Sequence, residues 1–275
     1  MNVKDVKILL KKYGIRPLKS LGQNFLVNER VFDRIIRAAE LSSNDIVLEI
    51  GPGIGNLTLR LGERVKKVIA IEKDKKMCEV LKNVLENQNV KNIKIINQDA
   101  LKLDFNQYIQ KSYKLIANLP YYITSPVIRK FLELKKPPES MILMVQKEVA
   151  QRICAKPSKM SLLAVSVQFY AKPKIISYIS KKSFWPRPKV DSAIIKIIPF
   201  KLSWSKRDTE KFFEIVKAGF SHPRKQLINN LSKGLNLEKQ KIEKWLLQNK
   251  VRPEQRAETL SVEYWQKLTK THSKI

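Results

Sequence analysis

The sequence of 275 residues predicts an α/β fold, a doubly wound and mostly parallel sheet followed by a small all-helical domain. Three observations predict it. Short β-branched and leucine runs alternate with amphipathic stretches at helical spacing, as βαβ units do. The first of these runs, Ile46 to Ile50, stops in three alternate glycines, Gly51, Gly53 and Gly55, the mark of a buried strand turning sharply into a helix. Beyond Ser203 to Lys206 no strand-like run recurs.

The elements follow in order. The first thirty residues are basic and end in Lys19-Ser-Leu-Gly-Gln-Asn-Phe-Leu26. Gly22 and Asn24 break a helix while Phe25 and Leu26 need burial, so this segment reads as a loop folded back over the core. From Glu29 to Leu41 the apolar positions Val31, Phe32, Ile35, Ile36 and Ala39 recur at helical spacing. After the glycine turn come a helix at Leu57 to Val65, a strand at Lys67 to Ile71 ending in Glu72, and a helix at Lys75 to Asn89. A third strand, Ile93 to Asn97, runs into Gln98-Asp99-Ala100, and a fourth, Lys114 to Ala117, into Asn118-Leu-Pro-Tyr121. Ser125 to Leu134 is helical, with Pro126 suited to its first turn. Met141 to Gln146 is a strand, and Lys147 to Ala155 and Leu162 to Tyr170 are helices. Ile175 to Ile179 and Ala193 to Pro199 form a late, close strand pair, which predicts an antiparallel edge. Four helices, Asp208 to Phe220, Arg224 to Ser232, Glu238 to Gln248 and Val262 to Lys270, complete the chain. The domain boundary falls between 202 and 203, giving a sheet-bearing domain at 1–202 and a helical one at 203–275.

Charge bounds the partners. There are 54 Lys and Arg against 25 Asp and Glu, a formal net charge of +29. Such an excess repels itself unless a polyanion offsets it, which points to nucleic acid or a ribonucleoprotein; a lysine-rich proteome is the bland alternative. The distribution favours the first, since Val149 to Val190 carries nine Lys or Arg and no acid. Lysines interrupt every apolar run well before a membrane span is reached, and nothing resembles a signal peptide. Cys78, Cys154, His222 and His272 are too few and too scattered for a metal site or a disulfide framework. A reduced, cytoplasmic setting is the simplest reading.

The candidate site residues gather at predicted strand ends, where open parallel sheets bind ligands. Glycines at 51 and 53 let a ligand lie against bare backbone, and Glu72, about twenty residues on, can accept both hydroxyls of a ribose. Phosphate cradles fit less well, because no Gly-Lys-Ser/Thr is present and Asn56 stands at the third dinucleotide position. The pair therefore reads either as a nucleoside site or as a tight strand-to-helix connection. Asp99 could accept a purine's exocyclic amine, with the Ala100 amide donating to the ring, or could cap a helix. At Asn118 to Tyr121 the amide oxygen of Asn118 and the carbonyl of Leu119 are two acceptors that could draw a purine amine toward tetrahedral geometry and expose its lone pair. Tyr121 offers a face for stacking the base. Taken alone, the tetrapeptide also reads as a proline-stiffened loop.

Together these stretches resemble the KsgA-type ribosomal RNA adenine dimethyltransferases. The carriers are Gly22-Gln-Asn-Phe-Leu26, Leu48-Glu-Ile-Gly-Pro-Gly53, Glu72, Gln98-Asp-Ala100, Asn118-Leu-Pro-Tyr121, Gln146-Lys-Glu-Val149 and Phe184-x-Pro-x-Pro-Lys-Val-Asp-Ser192, in one order from about Lys19 to Leu260. The resemblance implies a Rossmann-like class I methyltransferase sheet, S-adenosylmethionine as cofactor, and dimethylation at N6 of two adjacent adenines in the 3′-terminal hairpin loop of 16S rRNA. It implies that Asn24 and Leu26 close over the methyl donor, that Gly51 and Gly53 lie beside its methionine part, that Glu72 takes the ribose and Asp99 with Ala100 the adenine. Asn118 would be shared between donor and target, and Phe184 would sandwich the target adenine against Tyr121; core packing is the alternative for Phe184 and Trp185. The implied reaction is direct in-line displacement, with positioning worth on the order of 7 kcal/mol or more and no histidine base.

One departure stands out. The family's Phe-x-x-Arg-Arg-Lys is here Phe220-Ser-His-Pro-Arg224-Lys225, with Pro223 in place of an arginine, so RNA docking through Arg224 and Lys225 is weakened or re-aimed. Lys181, Lys182 and Lys189 in the acid-free stretch are candidates to compensate. The expected partner is small-subunit rRNA or an assembling 30S particle, bound by a monomer without metal or membrane. Competing readings are a large-subunit enzyme of the macrolide-resistance type, a non-catalytic ribosome-assembly factor, and a DNA adenine methyltransferase. The last more often carries Asp-Pro-Pro-Tyr where Asn118 begins its motif.

Overall fold

The computed structural model describes residues 1–17, 22–108 and 112–272; Lys19 to Leu21, the start of the stretch read as a folded-back loop, lie outside them. The chain forms two compact units: Met1–Ala150 with Pro173–Pro199, and Gln151–Lys172 with Phe200–Ile275.

The first unit opens with a helix absent from the sequence reading, α1 (Val3–Lys12), capped by Asn2, whose side chain accepts from the Lys4 and Asp5 amides. Next come β1 (Phe25–Leu26), α2 (Glu29–Ala39), β2 (Ile46–Ile50), α3 (Asn56–Gly62), β3 (Lys67–Glu72), α4 (Lys75–Asn87), β4 (Ile93–Asn97), β5 (Lys114–Asn118), α5 (Thr124–Leu132), β6 (Ser140–Gln146) and α6 (Lys147–Ile153). After α7 (Leu162–Tyr170) come β7 (Ala171–Ile179), β8 (Phe184–Trp185) and β9 (Ser192–Pro199). Seven strands make one sheet in the order β4-β3-β2-β5-β6-β9-β7. Its first five strands pair in parallel, and β9 runs antiparallel to β6, as the late strand pair predicts. β2 is buried on both faces, with Val47, Leu48 and Ile50 at 3% exposure or less. α2 lays Val31, Phe32, Ile35 and Ala39 on a core that includes Val47, Ile116, Ile142 and Ile194.

Register aligns the strand ends. Ile50 of β2 stands opposite Ile71 of β3 and Ala117 of β5. The next residues, Gly51, Glu72 and Asn118, therefore emerge side by side at one edge. The strand order reverses between β2 and β5, the switch point where such sheets open a crevice.

The second unit contains α7 with α8 (Lys206–Gly219), α9 (Leu227–Leu235), α10 (Lys239–Gln248) and α11 (Val262–Thr271). The boundary between 202 and 203 drawn from the sequence differs from this division by the Gln151–Lys172 segment and by residues 200–202. The reason is packing: Val165 and Phe169 of α7 share a core with Phe212, Leu227, Trp245 and Trp265, and Phe169 stacks on Phe212 with centroids 4.1 Å apart. Among the described residues no helix is long and apolar enough to cross a membrane.

Candidate active site

A cavity of about 300 Å³ opens at the carboxyl edge of the sheet in the first unit. Asn24, Leu26, Gly51, Gly53, Glu72, Asp99, Ala100, Asn118, Leu119, Tyr121 and Phe184 all line it. The structure thus brings into one place every candidate named for the donor and for the target base. Lys181, Lys182 and Lys189 lie apart on the surface of the same unit, and Arg224 and Lys225 on the surface of the helical unit; all five are exposed. Among the described residues no group of three or more His, Cys, Asp or Glu side chains gathers as metal ligands.

The glycine turn is shaped by backbone geometry. Gly51 and Gly53 have φ of +68° and +55°, conformations that L side chains rarely adopt. The Gly51 amide donates to the Ile71 carbonyl at 2.9 Å, and the Gly53 amide donates to Glu72 Oε2 at 3.2 Å. Glu72 Oε1 accepts from the Asp74 amide at 2.9 Å. Burial raises the Glu72 pKa, and these amides oppose the rise.

Asp99 follows β4 in a turn rather than at a helix start. Its Oδ1 accepts from the Leu101 amide at 2.9 Å, and its Oδ2 pairs with Lys73 Nζ at 3.0 Å. The amide bond first, and Lys73 after it, hold the Asp99 carboxyl below its ordinary pKa. Asp99 is therefore an ionised acceptor.

The other wall comes from loops far apart in sequence. Asn118 Nδ2 donates to the Asn24 carbonyl at 3.4 Å, so the Asn118 amide spans the glycine edge and the segment that follows α1. Asn56 Nδ2 fixes the Leu26 carbonyl at 3.0 Å. β1 pairs antiparallel with β8, Phe25 opposite Trp185 and Leu26 opposite Phe184, and the Val27 amide donates to the Ser183 carbonyl at 2.9 Å. Phe184 is 5% exposed yet lines the cavity: it packs and faces the site at once. Tyr121 opens a short helical turn after Pro120, and its hydroxyl meets that of Ser192 at 2.9 Å.

Three residues here were passed over in the sequence reading. Glu49, 1% exposed, lines the cavity, and its Oε2 has no hydrogen-bond partner among the described residues. Burial pushes its pKa up to about 8; the facing Thr58 hydroxyl lowers it and the Glu72 charge raises it. A lone acid in the apolar run Ile-Val-Leu-Glu-Ile was the available signal. Lys73 carried none beyond adjacency to Glu72, and Ser192 none beyond closing the Phe184 to Ser192 motif.

The family described as ribosomal RNA adenine dimethylase matches residues 16–274. The ribosomal RNA small subunit methyltransferase A of Dehalococcoides mccartyi strain CBDB1 is 43% identical over 267 residues, 96% of this chain and 91% of that protein. The protein of the same name from Clostridium botulinum strain Langeland is 43% identical over 274 residues, 98% of each chain. Among solved structures, a dimethyladenosine transferase from Plasmodium falciparum aligns with a TM-score of 0.77 at 30% identity, over 91% of this chain and 98% of its own. The 23S rRNA methyltransferase ErmE aligns with a TM-score of 0.73 at 25% identity, over 90% and 98%.

Proposed function

Because the chain belongs to the ribosomal RNA adenine dimethylase family, we propose that it transfers methyl groups from S-adenosylmethionine to N6 of two adjacent adenines in the 3′-terminal hairpin loop of 16S rRNA, during small-subunit biogenesis in the cytoplasm. The observation that carries this reading is the meeting, in one cavity, of nucleoside-type acceptors (Glu72, Asp99) with base-type acceptors and aromatics (Asn118, Leu119, Tyr121, Phe184). A protein that only bound RNA would have no physical use for both sets.

The residues fit the cofactor by their chemistry. Glu72 would accept the ribose hydroxyls, Asp99 would accept the adenine amine while the Ala100 amide donates to the ring, and Asn24 and Leu26 would close over the donor. The bare turn at Gly51 and Gly53 leaves room beside it, and the unpartnered Glu49 Oε2 supplies an acceptor for positive charge, since a nearby cation favours the ionised carboxyl. Once bound, the cofactor contributes an electrophilic sulfonium methyl.

The chain's own work is positioning. Asn118 Oδ1 and the Leu119 carbonyl accept the two N–H bonds of the target amine and turn its lone pair toward the donor. Tyr121 and Phe184 hold the extruded ring between them. Bringing two reactants into attack geometry can supply on the order of 7 kcal/mol or more, and the proton of the methylated amine would pass to solvent.

Lys181, Lys182, Lys189, Arg224 and Lys225 are read as phosphate contacts, and the chain acts as a monomer on rRNA or an assembling 30S particle. The likeness to ErmE favours a second reading, methylation of large-subunit rRNA, but relatives that carry the small-subunit name match at much higher identity. Incubation with labelled donor and unmodified small or large subunits, followed by mapping of modified adenines, decides between them. Label confined to the large subunit, or absent from both, refutes the proposal.

A further inference from the structure

Helix α1 has no part in the site as described, yet its surface is sharply divided. Val6 and Leu10 of α1 are 0% and 2% exposed and pack in a cluster with Phe25, Ile54 and Met77, against which Trp185 also lies. On one flank of the helix, three and four residues apart, Lys4, Lys7 and Lys11 form one exposed stripe. From Lys4 to Lys11 the stripe spans about 10 Å at the rise of an α-helix. The helix has one acid, Asp5, and its carboxylate caps the Asn2 amide at 2.9 Å. That carboxylate is engaged at the helix start rather than with the lysines of the stripe.

Its position gives the charge a use. Lys7 Nζ lies 5.7 Å from the centre of the Trp185 ring, and Trp185 follows Phe184 in the strand that pairs with Phe25 and Leu26. α1 is thus clamped to the segment that carries the second aromatic of the base pocket. A base drawn out of an RNA strand brings its neighbouring phosphates to the rim of the pocket that receives it.

We propose that the Lys4, Lys7 and Lys11 face of α1 is a docking surface for the phosphate backbone of the RNA strand flanking the target adenine. The inference rests on the proposed function, and it adds an element to RNA recognition that the Lys181, Lys182, Lys189, Arg224 and Lys225 set leaves out. Charge complementarity selects the occupant: a stripe of strongly hydrated ammonium groups suits phosphates.

The test uses the full chain with Lys4→Gln, Lys7→Gln and Lys11→Gln combined, beside the charge-keeping Lys→Arg triple. Affinity for a synthetic RNA hairpin of the 3′-terminal small-subunit loop is measured across salt concentrations, with donor binding read in parallel. The expected result for the Gln triple is a shallower slope of log affinity against log salt, by roughly 2 for three lost single-strand contacts. RNA affinity at moderate salt should fall about tenfold or more, and donor affinity should stay unchanged; the Arg triple should keep the wild-type slope. An unchanged slope in the Gln triple, in an enzyme that still methylates small subunits, overturns the docking surface alone. Failure of the wild-type chain to methylate them overturns the functional reading, and the docking surface with it.

Discussion

The Tyr121 hydroxyl stands 2.9 Å from the Ser192 hydroxyl, joining the turn after β5 to the first residue of β9, the end point of the Phe184 to Ser192 stretch. Ser192 is fully buried, so the phenol is held at its far end by a group that cannot move into solvent. Tyr121 has its pKa raised by burial, which keeps the phenol neutral. Ser192→Ala should leave donor affinity unchanged while lowering kcat about tenfold, because the ring loses its orientation. Parallel measurement of donor binding and single-turnover methylation checks this; equal losses in both would refute a positioning role.

Asn118→Ala should lower methyl transfer by roughly a hundredfold or more, the scale seen when one preorganised polar group at a reacting centre is lost. Donor binding should weaken but remain measurable by calorimetry. Normal turnover in this variant would remove Asn118 from the mechanism.

Glu49 makes stability depend on pH. Its folded pKa of about 8 lies above the ordinary carboxyl value of 4.5, so the folded state holds a proton that the unfolded state has released. The stabilising contribution is complete below the ordinary value and is lost as pH rises through about 8. Melting temperature without donor should fall over that window. Glu49→Gln, neutral throughout, should flatten the fall, a difference on the order of a few kcal/mol. Equal pH profiles for the two proteins would contradict it.

Gly219→Ala should destabilise the helical unit. A Cβ at this position would overlap the Trp265 ring, which is fully buried and has little room to yield. Overpacking of this kind costs about 1–3 kcal/mol, visible as a lower denaturant midpoint.

Much of this architecture could be read in advance. The Rossmann-like methyltransferase sheet with a helical C-terminal part is the fold that the chain adopts, because strand runs ending in glycines or single acids are local patterns. Gly51, Glu72 and Asp99 could be read from the sequence as a ligand edge or as a tight turn and a helix cap, whereas Asn24 and Phe184 were legible as site candidates through family resemblance alone. The pairing of Phe25 and Leu26 with Trp185 and Phe184 joins two dipeptides far apart in sequence, and no periodicity in so short a strand betrays its partner. α1 went unread because its lysines mask the spacing of Val6 and Leu10, although Asn2 and Asp5 make a capping box. The partner of α7 was hidden for another reason: its apolar sequence tells that it is buried, not in which core.

The path of the chain bears on any attempt to divide the protein. The polypeptide departs from the sheet-bearing unit after Ala150, returns at Pro173 and departs again after Pro199. A single cut at 202 would strand Val165 and Phe169 without Phe212 and Trp265, their neighbours in the helical core. Swapping the helical part with that of a relative therefore demands two exchanged segments, and a chain ending there would leave the apolar side chains of α7 without the core they pack in.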